Sequence, residues 1–217
     1  LRAIPRLEPE DLFPEIAEIG SPELRAAAIA GITAEDQAIE AKTERGLFAE
    51  RPTVFLTREM VAVAIKLGPR ARMQRTRAGL YDAEVGILGE FVFARWRHGS
   101  LYACNVGENI GRRDFREAEI KASLTPWRAG LHLFVREDYA AKRKPPAYVQ
   151  VIVDGTQTRG IEPGARAILA GWASAEDVDA APLVDPGAKG GGAAGFRVHA
   201  LPLAALRGMR SFPRRTE

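Results

Sequence analysis

The sequence predicts an α/β chain of the α+β kind, and three observations predict it. Apolar residues recur at helical spacing through most of the first hundred residues. From Gly99 onward that spacing gives way to short apolar runs separated by Gly, Asn or Pro. One of those runs, AYVQVIVD at 147–154, is almost continuously β-branched, as a strand covered on both faces would be. Helices, then strands, then mixed elements describe a sheet domain with helices packed on it.

Each element has a local reason. In SPELRAAAIAG, Ser21 serves as N-cap, Pro22 suits the first turn and Gly31 closes the helix. TAEDQAIEAKT restarts a second helix at Thr33, with Asp36 as its capping-box partner. REMVAVAIKLG, Arg58 to Gly68, is apolar at helical spacing and reads as a core helix. DAEVGILGEFVFARWRHG gives a further helix with Val85, Leu88, Phe91, Val92 and Trp96 on its buried side; Gly89 permits close packing there, and Glu90 is embedded beside it. LYACNV, RRDF, AEIKAS, LHLFV, AYVQVIVD and ARAILAGWAS read as strands, AEDVDAAP as a helical turn and DPGAKGGGAAG as a loop. FRVHALPLAAL supplies a last strand and a short helix, and RGMRSFPRRTE a basic, mobile tail. The expected organisation is an acidic helical appendage at 1–50, a main domain at 51–205 and the tail at 206–217.

Charge sharpens that division. The net charge of +3 hides eleven acids against five bases in the first 50 residues, which leaves an excess of nine positive charges on the rest. A basic domain beside an acidic appendage makes a polyanion a plausible partner. Within the basic part, PRARMQRTRAG places Arg70, Arg72, Arg75 and Arg77 in one short stretch, either as a solvated face or as phosphate contacts. The acidic segment would cover the basic groove, bind a protein partner or simply pack on the domain; a homodimer is a further expectation. No apolar run approaches the roughly 20 residues of a membrane helix. No signal peptide is visible, and a single cysteine, Cys104, excludes an intramolecular disulfide; a cytoplasmic protein is expected.

The chemistry-bearing stretch is GRRDFREAEIKAS, residues 111–123. On a strand, alternate side chains share a face, so Glu119 and Lys121 point one way and Ile120 the other. That is a surface strand with a charge pair, or one wall of an active site. Asp114 lies close enough in sequence for a tight hairpin to bring it to the same end of the sheet, and Glu90 can come from the helix packed above. Carboxylates so placed suit Mg²⁺, a hard ion that takes oxygen ligands and keeps several waters. A lysine one alternation further on can orient an attacking water or meet developing phosphorane charge.

With GILGEFVFARW before it and AGWASAEDV after it, this D…E-I-K run resembles the PD-(D/E)xK nuclease superfamily, with its restriction-endonuclease-like fold, and in particular small phage-type or uncharacterised members. The resemblance spans about Leu80 to Leu203. It implies a central mixed β-sheet flanked by helices and a nuclease that hydrolyses phosphodiester bonds in DNA with Mg²⁺ or Mn²⁺. It also implies Asp114 and Glu119 as metal-binding carboxylates, Lys121 as the catalytic lysine, and Glu90 as the helix glutamate found in a subset of members. No proline precedes Asp114, and only four residues separate it from Glu119, a short interval for the superfamily. Glu108 stands in reserve should Asp114 face away, with Glu117 behind it. The same fold also serves non-catalytic DNA-binding or assembly modules. Elsewhere, His98 reads as a cation at a helix C-terminus, His132 as lying on the second face of its strand, Trp127 as packing or a base contact, and Cys104 as a small buried hydrophobe.

Overall fold

The computed structural model describes residues 7–73, 79–104, 113–142, 144–156, 160–186 and 196–213. Two short helices, α1 (Pro9–Leu12) and α2 (Pro14–Ala17), lead into the long α3 (Pro22–Gly46). After β1 (Thr53–Phe55) come α4 (Arg58–Met73) and α5 (Leu80–His98). The remainder runs β2 (Glu119–Leu124), β3 (His132–Arg136), α6 (Glu137–Lys142), β4 (Tyr148–Val153), β5 (Arg166–Ala173), α7 (Ala175–Ala180), β6 (Leu183–Val184) and β7 (Val198–Pro202). Two 3₁₀ turns, Leu203–Ala205 and Met209–Ser211, follow β7.

The architecture is mixed α/β with two sheets where one was expected. The first has the order β1-β5-β4-β2, with β2 and β4 parallel and the other pairs antiparallel. The second is antiparallel, in the order β3-β7-β6. Helix α5 lies on one face of the first sheet. Its Phe91, Val92 and Phe93 join Ile120 of β2 and Val149, Val151 and Val153 of β4 in the main core. On the other face, Tyr148 and Ala173 pack with Leu133, Val135 and Leu201 of the second sheet and Val178 of α7. β4 is thus buried on both faces, which accounts for its unbroken apolar run.

Several local expectations give way to tertiary packing. The two N-terminal helices are one, since α3 continues through Gly31 and the Thr33 hydroxyl donates back to the Ile29 carbonyl at 2.9 Å instead of capping a new start. α4 likewise runs past Gly68 and carries Pro69 inside it. Leu101–Cys104 and the described part of RRDF are turns instead of strands. β1 and α6 had no strong sequence signal. The expected tail is anchored: Met209 and Phe212 are buried, and Phe212 meets the rings of Phe93, Trp96 and Trp172.

Asp36, expected as a capping partner within its own helix, caps α4 instead. Its carboxylate accepts from the backbone N–H groups of Arg58 at 2.7 Å and Glu59 at 3.2 Å. These are orphan donors at a helix start, where negative charge is favoured. Burial nevertheless pushes the Asp36 carboxyl above its usual range, against those two bonds. Three further acids of α3 are paired: Glu40 and Glu44 bind Arg95 of α5, and Glu35 pairs with Arg58. The acidity of the N-terminal segment is therefore partly engaged by Arg58 and Arg95 of the same chain. Asp36→Ala is expected to lower the unfolding free energy by about 1–2 kcal/mol, read from urea denaturation. A change smaller than a few tenths would mean that the Thr57 hydroxyl, which accepts from the Met60 N–H at 3.1 Å, caps α4 well enough without Asp36.

Candidate active site

β2 is an edge strand, hydrogen-bonded only to β4 among the described strands. An edge leaves alternate backbone N–H groups without a strand partner. That of Ile120 is taken by Asp114, whose Oδ2 accepts it at 2.8 Å. Asp114 is placed for this by the turn that follows it. The N–H of Phe115 donates to the Ala118 carbonyl at 2.9 Å, and the Phe115 ring is buried against Phe93 at 4.7 Å and stacked on His98. The short Asp114–Glu119 interval is thus sufficient, because a compact turn and not a two-stranded hairpin returns the chain to the sheet.

From β2, Glu119, Lys121 and Ser123 share one face, while Ile120, Ala122 and Leu124 meet the α5 side. Glu119 is only 4% exposed. Its Oε1 accepts from the Lys121 ammonium at 3.0 Å, and that ammonium also lies 5.8 Å from the centre of the Tyr139 ring. The pair is therefore no open surface charge pair.

Glu90 completes the cluster from above. Gly89 is the reason α5 comes so near: a Cβ there would stand 2.6 Å from the Ala122 Cβ. With the helix pressed on β2, the neighbouring Glu90 carries its Oε2 into a buried position with no hydrogen-bond partner among the described residues, although the residue as a whole is only half-buried. Burial first, then the negative charges of Asp114 and Glu119, push the Glu90 carboxyl well above the usual range, and the Lys121 charge pulls the other way. Glu90 of α5 thus feels the charges of Asp114 from the 113–118 turn and of Glu119 and Lys121 from β2.

The sign of that shift gives a prediction for the metal-free protein. A raised folded-state pKa stabilises the fold fully below the ordinary glutamate value of 4.5, and that contribution is lost as pH rises through the folded value. Glu90→Gln removes the titration. In EDTA, its Tm relative to wild type should climb steadily as pH is raised from about 4.5 toward neutrality. A constant difference across the pH series would show that Glu90 ionises as readily folded as unfolded.

The donor set suits a hard cation in kind, being all oxygen, and it includes the buried Glu90 Oε2, which no described residue satisfies. Among the described residues no group of three or more His, Cys, Asp or Glu side chains is arranged to hold a metal ion. Mg²⁺ does not require one, since it is commonly held by one or two carboxylates with waters and substrate phosphates filling the rest.

The other expected residues fall differently. Glu117 turns to the end of α5, with Oε1 3.5 Å from His98 Nε2 and 3.8 Å from Arg97 Nε. The helix itself ends on Gly99 in the left-handed conformation, φ +76°, so the Gly99 turn ends the helix and His98 stacks on Phe115. Arg70 is exposed near the end of α4, and Arg72 follows on the same helix. Arg75, Arg77 and Glu108 lie outside the described residues. Trp127 is half-buried, with the Arg51 guanidinium 5.3 Å from its ring centre. Cys104 is buried.

One residue was missed. Gln150 of β4 stands in register with Lys121, is 1% exposed, and donates from Nε2 to the Val151 carbonyl at 2.9 Å and to Ser123 Oγ at 3.4 Å. A bulge between Gln150 and Val151 in the β4–β5 pairing accompanies it. The signal was present: Gln150 is the one polar side chain in a run of six buried positions. No helix among the described residues is long and apolar enough to cross a membrane. No family model, curated protein or solved structure matches the chain.

Proposed function

We propose that this protein is a metal-dependent nuclease with a restriction-endonuclease-like site, hydrolysing phosphodiester bonds in DNA. The observation that carries the reading is Asp114 bonded to the Ile120 N–H beside the buried Glu119–Lys121 pair at the start of an edge strand, with Glu90 of α5 near enough for their charges to act on its carboxyl. Bound Mg²⁺ or Mn²⁺ would polarise the phosphate and lower the pKa of a water. Asp114 and Glu119 are the residues to hold it, with Glu90 beside them. Lys121 is steered by Glu119 Oε1 and the Tyr139 ring, so its charge is fixed before the reaction and available to oxygens that become more negative in the transition state. Gln150, in register with Lys121, donates to Ser123 on the same face of β2. The positive excess outside residues 1–50, with Arg70 and Arg72 in it, suits a phosphate backbone.

A non-catalytic DNA-binding or assembly module is the second reading. It is favoured by the engagement of Lys121 with Glu119 and by the lack, among the described residues, of a ready three-ligand set. The deciding experiment incubates purified protein with supercoiled plasmid, linear duplex and single-stranded DNA in Mg²⁺, Mn²⁺ or EDTA. The nuclease reading expects cutting with one or both metals and none in EDTA. A folded protein that binds DNA but cuts with neither metal leaves the second reading in its place.

A further inference from the structure

We infer that the outer face of β3, beside the candidate active site, is a stacking platform for unpaired nucleobases, so that the preferred ligand is a single strand or a frayed end. The inference deepens the nuclease reading and rests on it for the identity of the neighbouring site.

The platform follows from strand alternation. Leu133 and Val135 of β3 are buried beneath, so His132, Phe134 and Arg136 are turned outward. Phe134 is 47% exposed, its ring turned to solvent by the strand alternation. The His132 ring lies beside it, 5.8 Å between centroids and parallel to within 8°. Further along, the Arg136 guanidinium is held between two rings, 4.6 Å from the centre of Tyr139 and 4.8 Å from that of Phe196, itself 43% exposed. Asp138 fixes the same guanidinium through two bonds of 2.9 and 2.8 Å. The result is a row of rings and one planar cation in which Phe134 and Phe196 are exposed and His132, Tyr139 and Arg136 are half-buried beside them.

Two features select the occupant. First, Tyr139 is shared: the Lys121 ammonium and the Arg136 guanidinium both lie over it, so the row is continuous with the Glu119–Lys121 pair. Second, Arg136 is already neutralised by Asp138, which makes this row a poor pure phosphate track. Base faces stack on aromatic rings and guanidinium planes irrespective of sequence, whereas a duplex keeps its base faces inside. Backbone phosphates would be met by the positive excess of the surrounding domain.

The test is fluorescence anisotropy in EDTA, where no cutting intervenes. The probes are a labelled oligo-dT of about 20 nucleotides, longer than one such module covers, and a duplex of equal length. Wild type should bind the single strand more tightly than the duplex. Phe134→Leu and Phe196→Leu keep apolar bulk but lose the π face, and each should weaken single-strand binding by on the order of 5- to 100-fold. Phe134→Tyr should bind as wild type does. Phe48→Leu, at a ring 79% exposed elsewhere on the molecule, should change nothing. Duplex affinity should be the same throughout. Unchanged single-strand binding in the leucine variants, an equal loss for duplex, or a wild type without single-strand preference would each overturn the platform. Because binding is read without metal, absence of cleavage in Mg²⁺ or Mn²⁺ would remove the nuclease reading alone. Cleavage with unaltered leucine variants would remove the platform alone.

Discussion

On the nuclease reading, Asp114→Asn and Glu119→Gln should each lower metal-dependent cleavage by on the order of 10²–10³-fold or more, while duplex affinity changes little. Both replacements preserve shape. The amide introduced by Asp114→Asn would still offer an oxygen to the Ile120 N–H that Asp114 now satisfies at 2.8 Å, and the amide introduced by Glu119→Gln an oxygen to Lys121. What each removes is a negative charge beside Glu90 and a carboxylate oxygen for a hard cation. Phosphate contacts supply most nucleic-acid affinity, so binding and rate should separate. The alanine variants are less clean, because Asp114→Ala also strands a backbone donor at the edge of the sheet. Lys121→Ala should lower kcat far more than it weakens binding, since its charge matters most when the phosphate oxygens become more negative. Lys121→Arg should retain part of the rate, the charge surviving with altered geometry. The measurements are initial rates of plasmid nicking in Mg²⁺ and Mn²⁺, beside anisotropy in EDTA. Cutting at the wild-type rate by both Asp114→Asn and Glu119→Gln would detach the cluster from catalysis.

Gly171→Ala should destabilise the fold by on the order of 3 kcal/mol or more, seen as a fall in Tm of about 6–12 °C for a chain of this size. Two independent costs add. Gly171 has φ +146°, which residues with a Cβ rarely adopt. A Cβ there would also stand 2.7 Å from the Arg207 carbonyl oxygen and 2.8 Å from the Leu206 Cβ. The close approach has a purpose. Trp172 and Arg207 exchange backbone bonds of 3.0 and 2.9 Å, and Trp172 Nε1 donates to Ser211 Oγ. That clasp seats Met209 and Phe212 in the core. A Tm within about 2 °C of wild type, below the shift for a single kcal/mol, would mean that the 206–212 segment moves aside freely.

The sequence by itself determined the fold class and the principal elements of the sheet core. Hydrophobic periodicity is a property of neighbours along the chain, so α5, β2, β4 and β5 were legible from residue spacing alone. The alternation that sets Glu119 and Lys121 on one face is equally local. So was the presence of a close contact at Gly89, although not the identity of Ala122 opposite it. Tertiary structure decided everything that depended on distant partners. Gly31 and Thr33 look like a helix stop and restart, yet α3 runs through them, because its acidic face is held against Arg58, Arg95 and the start of α4. The basic tail looks solvated, yet two apolar residues within it are buried in the core, and Phe212 meets rings more than a hundred positions away. The second sheet, the sharing of Tyr139 between Lys121 and Arg136, and the place of Gln150 opposite Lys121 likewise follow from strand order. Strand order is set by which apolar faces close on one another, and one chain's local pattern is compatible with several such closures.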